Sequence, residues 1–303
     1  MTENNKKVTL ESTLKSGDTE EWLDIHFTRP LGFLWARFFN SFNVHPNVVT
    51  ILSIILGVAA GVCFYFNDLT INIIGILLLV WANLYDSADG QLARMTGKKT
   101  RWGRILDGFA GDVWFFAIYV AISLRLMPQW GVWIWLLCSF AGFICHSKQS
   151  GLADYYRNIH LYFIKGESGS ELDNSAKLTA EYNSLTWSGD FAWKLFLFFY
   201  RNYTRSQEQL TPYFQKFKKQ LDAKFGRAIP QDVRAEFRAG SLPLMKWANI
   251  STFNTRAIVL YISLLVGQPW IYPVFEITVM NCIFFYMRSK HESLCRRMMA
   301  KIA

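Results

Sequence analysis

Charged residues are scarce in this chain, and it has no paired-cysteine motif. Only 18% of its 303 residues are charged, against about 25% in a typical soluble domain. Apolar residues make up 51% of the chain and aromatic residues 17%, with several long apolar runs. These features exclude an ordinary soluble fold and predict an integral membrane protein.

Motifs for secretion, disulfide bonding and nucleic-acid binding are also missing. The five cysteines form no CxxC motif and no metal-binding spacing, so we expect free, reduced thiols. His291 also has no metal-binding spacing. The first forty residues are charged and have no apolar core, so no signal peptide is expected and the first transmembrane helix should insert uncleaved. The net charge of +9 fits the positive-inside rule, to which contact with anionic lipid could add, and nucleic acid is not an expected partner.

Six apolar segments predict transmembrane helices, at about residues 47–66, 70–94, 104–126, 130–149, 253–267 and 270–288. A turn around Pro128 is predicted between the third and the fourth. Basic residues concentrate in the 95–104 loop and in the C-terminal tail. The loops on the opposite side of the membrane contain Arg125 as their only basic residue. We therefore expect a multi-pass protein of a bacterial inner membrane or ER-type membrane, with both termini and the site described below in the cytoplasm.

The polar segments complete the predicted architecture. Near the N-terminus, Trp, Phe and Leu mix with Arg and Asp, which is typical of an amphipathic helix in the membrane interface. The insertion between spans four and five is too polar to cross a membrane but has helical periodicity, with breaks expected at Gly240 and Pro243. The predicted fold class is all-α, a polytopic membrane bundle of six transmembrane helices. Its parts are a flexible N-terminus (1–20), an interfacial amphipathic helix (21–43), spans one to four (44–149), a cytoplasmic or interfacial helical insertion (150–252), and spans five and six with a basic tail (253–303).

The densest group of chemically active side chains lies between the second and third spans. Asp86 and Asp89 share a helix face, and Asp107 begins the next span after a basic turn. Carboxylates at a membrane helix end are costly unless they hold a cation or take part in chemistry. They suit Mg²⁺ or Mn²⁺, and the nearby basic residues suit phosphate. The pattern predicts a divalent-metal pyrophosphate site; the alternative is a solvated interfacial turn.

The spacing of these residues closely resembles the signature of the CDP-alcohol phosphotransferase family, DxxDGxxAR followed after eight residues by GxxxD. The segment HPNVVT at 45–50 also resembles the PNxVT sequence that opens the family's first span. The resemblance covers spans one to three but not the 150–252 insertion. The matching positions are Asp86, Asp89, Gly90, Ala93, Arg94, Gly103 and Asp107.

This resemblance implies a specific chemistry. Family members cleave the pyrophosphate of a CDP-linked donor, release CMP and transfer the remaining phosphate-bearing group to a hydroxyl acceptor. By analogy, Asp86, Asp89 and Asp107 would bind Mg²⁺ or Mn²⁺. The residues lining the CDP site would be Gly90, Ala93, Arg94 and Gly103. The implied partners are the CDP-linked lipid donor, the acceptor and membrane lipid. Family members commonly form homodimers, although no residue here indicates a dimer interface.

One position departs from the family signature, which ends in DxxxD and uses its last Asp to deprotonate the acceptor hydroxyl. Gly111 occupies that position, and Asp112 follows one residue later. In a regular helix Asp112 is rotated by about 140° from Asp107, whereas the family's spacing gives about 40°. A π-bulge eased by Gly108 and Gly111 would restore the facing and make Asp112 the catalytic base. Otherwise the base is lost and the site is altered.

Other polar residues near span ends have two interpretations each. His146, Lys148 and Arg157 could bind an acceptor phosphate or could simply follow the positive-inside rule. Arg256 could face the bundle interior or anchor the fifth span at the interface. Glu276 in the sixth span is expected to be buried with a polar partner.

Three classes of function are compatible with the sequence. The leading one is a phospholipid-synthesis enzyme that transfers a phosphatidyl group from CDP-diacylglycerol to a small polar alcohol such as inositol phosphate, glycerol phosphate or serine. An alternative within this class is an enzyme that transfers a headgroup from CDP-ethanolamine or CDP-choline to a diradylglycerol or ceramide acceptor. The second class is a non-catalytic CDP- or lipid-binding relative. An ion or metal transporter is disfavoured because the acids cluster at one helix end rather than at the midplane.

Overall fold

The computed structural model describes residues 16–166, 169–170, 172–226 and 228–302, and the regular structure within these ranges is helical. The predicted all-α class is therefore confirmed. Contacts divide the chain into two compact units. The first contains the described residues up to Cys145 together with Asn254–Ile277, and the second contains His146–Phe253 and the described residues from Thr278 onward.

The α-helices follow one another along the chain with short connections. They are α1 (Arg29–Ser41), α2 (Pro46–Tyr65), α3 (Leu69–Thr96), α4 (Arg101–Trp130), α5 (Trp133–Ser139), α6 (Ser147–Lys165), α7 (Ser175–Ser184), α8 (Phe191–Leu210), α9 (Pro212–Phe225), α10 (Gln231–Ile250), α11 (Phe253–Leu265), α12 (Ile271–Phe275) and α13 (Asn281–Ile302). Three π-helical segments adjoin them, at Asp24–Thr28, Phe140–His146 and Glu276–Met280.

Helices α2, α3 and α4 are long and apolar enough to cross a membrane. They correspond closely to the first three predicted spans. The fourth and sixth predicted spans contain the π-helical segments Phe140–His146 and Glu276–Met280, and the fifth corresponds to the shorter helix α11. Membrane crossing by these last three segments stays a prediction, and so does the six-span bundle.

Side-chain caps and a proline set the starts of the three long helices. His45 accepts a hydrogen bond from Asn47 N (3.2 Å) at the start of α2, and Pro46 occupies its first turn as predicted. Asp68 accepts from Ile71 N (2.9 Å) at the start of α3. These contacts satisfy backbone N–H groups that have no partner inside the helix.

The predicted turn around Pro128 is wrong. Helix α4 continues through Pro128 to Trp130, and the chain turns at Gly131, whose φ is +58°. Because Pro128 lies in the last turn of α4, its missing N–H removes little of the helix's hydrogen bonding. Gly131 adopts a backbone conformation that other residues rarely take.

In the first unit, α2 packs against both α3 and α4, and α1 packs against α3. Helices α2 and α4 approach each other closely at Gly57, because glycine has no Cβ atom there to overlap the Trp114 ring. Helix α1 contacts the part of α3 that carries the acidic residues, since Gln91 Nε2 donates to Arg29 O (3.0 Å). The segment predicted as an interfacial helix is therefore helical and packs on α3; its position in the membrane interface stays a prediction.

The second unit is built around aromatic side chains from α6, α9 and α10. The rings of Phe163 and Phe237 are stacked with centroids 3.8 Å apart, and Phe217 stacks on both. The predicted breaks at Gly240 and Pro243 are wrong, because α10 runs through both. Gly240 lies where a Cβ atom would collide with Leu294 of α13, so its missing side chain permits packing rather than a turn.

Candidate active site at the α3–α4 hairpin

A short connection brings the end of α3 next to the start of α4. Gly97 ends α3 with a φ of +68°, a conformation that favours glycine. Thr100 then caps α4 by accepting a hydrogen bond from Gly103 N (2.9 Å). The functional residues predicted from the sequence lie on the two helix ends that this connection joins.

The three predicted metal ligands come together at this hairpin. One carboxylate oxygen from each of Asp86, Asp89 and Asp107 lies within 4.8 Å of the others. Asp89 is 3% exposed, whereas Asp86 and Asp107 are half-buried. Like charges at this separation, one of them almost fully buried, repel one another unless a cation or protons compensate them.

The unsatisfied atoms of the cluster fit a divalent metal. Within the described ranges, Asp89 Oδ2 is buried and accepts no hydrogen bond. Buried carboxylate oxygens in folded proteins normally have a partner. An all-oxygen donor set suits Mg²⁺ or Mn²⁺. Asp86, Asp89 and Asp107 therefore have the chemistry and the arrangement to hold such an ion.

Arg94 lies next to the carboxylates on α3. Its Nη1 would be 3.4 Å from a Cβ atom at Gly90, so the guanidinium lies over that glycine. Its charge interacts with those of Asp89 and Asp107. Among the described residues, its Nε and Nη2 atoms are buried without a hydrogen-bond partner. These N–H groups suit the phosphate oxygens of a ligand bound beside the metal.

The other predicted CDP-lining residues are also at the hairpin. Ala93 is half-buried on α3, one residue before Arg94. Gly103 lies in the first turn of α4, where a Cβ atom would approach Asn47 Oδ1 of α2 to 2.9 Å. Sequence reasoning did not single out Asn47, although it falls inside the HPNVVT segment.

Asp112 does not join this cluster. Helix α4 is α-helical throughout Arg101–Trp130, so the predicted π-bulge is wrong. A Cβ atom at Gly108 or Gly111 would meet no atom within 4 Å. Asp112 is exposed and lies outside the three-carboxylate group. Its role as the base stays a prediction.

The weaker candidates have protein partners or lie on the surface. Arg157 donates two hydrogen bonds to Asn249 Oδ1 (2.6 and 3.1 Å), and Lys148 is exposed. Arg256 is 1% exposed and forms a buried ion pair with Glu276, so it does not anchor the helix at an interface. The expectation that Glu276 is buried with a polar partner is confirmed.

Sequence reasoning missed a second group of potential metal ligands. His291, Glu292 and Cys295 lie together on α13 in the second unit. The sequence predicts no metal-binding spacing for His291 or the cysteines, whereas the structure brings the side chains of His291, Glu292 and Cys295 together. The signal was the four-residue separation of His291 and Cys295, which places both side chains on one helix face.

Helices long enough to span a membrane, with an oxygen-only cation site at the hairpin between two of them, define a helical membrane protein with a candidate divalent-metal centre. Residues 43–153 match the family model described as CDP-alcohol phosphatidyltransferase. The predicted resemblance to this family is therefore confirmed for residues 43–153, which make up little more than a third of the chain, and transferase activity of the whole protein stays a proposal. All residues assigned to the site fall within this segment.

Two curated relatives show similarity of the same kind. The chain is 29% identical over 97 residues to the bifunctional IPC transferase and DIPP synthase of Aquifex aeolicus, covering 32% of this chain and 22% of the relative. It is 34% identical over 92 residues to the archaetidylinositol phosphate synthase of Pyrococcus horikoshii, covering 30% of this chain and 47% of the relative. The matched part thus spans less than half the length of each.

Proposed function

We propose that this protein is a membrane transferase of phospholipid synthesis. It takes a phosphatidyl group from CDP-diacylglycerol, passes it to the hydroxyl of a small polar alcohol and releases CMP. The observation that supports this most directly is the buried, unsatisfied oxygen of Asp89 within a cluster of three carboxylates. That cluster lies inside the segment that matches a CDP-alcohol phosphatidyltransferase domain.

The site residues have distinct roles in this proposal. Asp86, Asp89 and Asp107 hold the divalent ion, which supplies charge neutralisation for the pyrophosphate when bound. The free N–H groups of Arg94 bind a phosphate oxygen of the donor, and Gly90, Ala93 and Gly103 line the CDP site beside it.

Transfer requires one bond to form and one to break at phosphorus. The acceptor oxygen attacks the phosphorus that carries the diacylglycerol, and the bond from that phosphorus to the bridging oxygen of CMP breaks. The acceptor proton passes to a base, for which we propose Asp112, although on the regular helix α4 this residue is rotated by about 140° from Asp107. The bridging electron pair leaves with CMP.

A phosphorylated polyol is the first acceptor to test. The name of the Pyrococcus relative indicates a product in which a lipid is joined to inositol phosphate. The hairpin loop offers Lys98 and Lys99, both exposed, as cationic side chains near the site. Cationic groups of this kind suit a second phosphate on the acceptor.

The direct test measures CMP release by the purified protein in liposomes with Mg²⁺ or Mn²⁺. CDP-diacylglycerol and CDP-ethanolamine are supplied separately, each with inositol phosphate, glycerol phosphate, serine and diacylglycerol. CMP should appear with CDP-diacylglycerol and one polar acceptor, and a chelator should abolish it. Asp89→Asn should lower the rate more than about 100-fold, because a direct metal ligand is lost.

Asp222→Asn is the matched control, since it makes the same change at an exposed carboxylate paired with Lys218 in the second unit. Its rate should stay within about twofold of the wild type. CMP release with CDP-ethanolamine alone would move the assignment to a headgroup transferase. Donor binding without CMP release under every pairing would identify a non-catalytic relative.

A further inference from the structure

Three side chains of different metal-binding chemistry meet on α13, in the second unit. His291 and Cys295 are one helical turn apart and both are 0% exposed, and the intervening Glu292 is 8% exposed. One potential ligand atom from each lies within 4.8 Å of the others. Fully buried ionisable groups are uncommon in proteins unless they are paired or bind a metal.

The distances among the three side chains approach those of a tetrahedral zinc centre. Cys295 Sγ lies 3.7 Å from His291 Nδ1, and His291 Nδ1 lies 3.9 Å from Glu292 Oε1. Zinc bonds of about 2.3 Å to sulfur and about 2.0–2.1 Å to nitrogen or oxygen place neighbouring S and N ligands about 3.6 Å apart, and N and O ligands about 3.4 Å apart. Small side-chain adjustments would close the difference.

The cluster also lacks partners that buried polar atoms normally have. Within the part of the chain that the structure describes, Glu292 Oε1, His291 Nε2 and the Tyr156 hydroxyl are buried and form no hydrogen bond. The Tyr156 ring stacks on the His291 ring with centroids 4.0 Å apart. Glu292 Oε1, which lies 3.9 Å from His291 Nδ1, is the unsatisfied atom that an ion bound between these side chains would satisfy.

A backbone contact holds Glu292 in a position suited to a ligand. Its Oε2 atom accepts a hydrogen bond from Tyr213 N of α9 (2.8 Å), which leaves Oε1 next to His291. Ligating carboxylates in metal sites are commonly held by such a hydrogen bond on the second oxygen. The carboxylate is therefore oriented before any ion binds.

We propose that His291, Glu292 and Cys295 bind one zinc ion. A mixed set of sulfur, nitrogen and oxygen ligands is typical of Zn²⁺, in contrast to the all-oxygen set at the α3–α4 hairpin. A water molecule would complete the tetrahedron. The closed surroundings indicate a structural ion taken up as the chain folds, with loss of the thiol proton. The site does not depend on the proposed transferase activity.

The test uses the full-length protein purified in detergent and supplied with zinc or cobalt. An Asp89→Asn background weakens binding at the hairpin carboxylates. Elemental analysis should find about one zinc ion per chain. Cobalt should give a thiolate-to-metal charge-transfer absorption band, which carboxylate ligands cannot produce. The cobalt band needs no change in α13 and so does not depend on a variant folding.

Cys295→Ser should abolish the cobalt band and the retained zinc. Cys282→Ser is the matched control, because Cys282 is an exposed cysteine on the same helix, and it should leave both signals unchanged. Absence of the band and of zinc in the protein with an intact α13 would overturn the proposal. That result would mean that Cys295 and His291 share only a weak S–H···N hydrogen bond. A band that survives in Cys295→Ser would overturn it as well.

Discussion

At the scale of single residues, the catalytic assignment depends most on Asp112. This residue lies five positions after Asp107 on a regular helix, whereas the family signature places its base four positions after. Gly111, at the family's position, faces open space in the structure. An aspartate can therefore be introduced at position 111 without a steric clash, which allows the two positions to be compared directly.

We predict that Asp112→Asn lowers CMP release about 10²–10⁴-fold, the usual contribution of a general base, while donor binding is retained. Adding Gly111→Asp to this variant should restore a large part of the rate, because it returns a carboxylate to the face that Asp107 occupies. The measurement is single-turnover CMP release together with equilibrium binding of CDP-diacylglycerol.

Normal turnover in Asp112→Asn would remove Asp112 from the mechanism. Activity that rises only when Gly111→Asp is present, in the wild-type background as well, would mean that the natural chain has lost its base. The two outcomes separate a displaced base from an absent one.

The residue types of the site could be predicted from the sequence because spacing on a helix fixes which side chains share a face. Asp86, Asp89 and Asp107 meet as expected. The predicted π-bulge is wrong because α4 keeps its α-helical pattern through Gly108 and Gly111, and the residue types alone do not decide between the two hydrogen-bonding patterns. The His291 cluster was missed although its members are close in sequence, because the spacing alone does not show that all three side chains are buried.

At the scale of helices and turns, long apolar runs and their caps were predictable. The spans matching α2 and α3 differ from the predicted bounds by only one or two residues, since Pro46 and Gly97 mark a start and an end. Glycine and proline inside α4 and α10 misled the prediction. Pro128 and Gly240 are tolerated there because tertiary packing overrides local preference.

A buried ion pair joins α11 to the π-helical segment after α12. Arg256 is 1% and Glu276 0% exposed at their side chains, and Tyr272 also donates to Glu276 (2.9 Å). We predict that Glu276→Gln lowers the free energy of unfolding by about 3–5 kcal/mol, because it leaves the Arg256 charge buried without its counter-ion. Chemical denaturation in detergent, followed by circular dichroism, measures the change.

Two further variants test whether the loss of stability comes from the buried charge of Arg256. Arg256→Met combined with Glu276→Gln removes both charges and keeps an oxygen for Tyr272, so it should be more stable than Glu276→Gln alone. Asp222→Asn breaks the exposed pair with Lys218 and should cost about 0.2–1 kcal/mol. A Glu276→Gln protein as stable as the wild type would show that the pair contributes nothing.

At the scale of the whole molecule, the number of membrane crossings decides where the C-terminus lies. Among the described residues, three helices have the length and composition to cross a membrane, whereas the apolar segments of the sequence predict six crossings. In the orientation predicted from the basic residues, the 97–100 connection would lie on the cytoplasmic side and the end of α4 on the opposite side in both cases. With three crossings the C-terminus would lie on the far side with the end of α4, and with six it returns to the cytoplasm.

We predict six crossings, because the basic C-terminal residues Arg296, Arg297 and Lys301 favour the cytoplasmic side. Single cysteines are introduced at the exposed positions Lys98, Gln129 and Ala300 in a Cys282→Ser background, and intact bacterial cells are treated with a membrane-impermeant maleimide. Gln129→Cys should be labelled in intact cells. Lys98→Cys and Ala300→Cys should react only after the membrane is permeabilised. Labelling of Ala300→Cys in intact cells, with Lys98→Cys protected, would leave three crossings and contradict the six-span bundle.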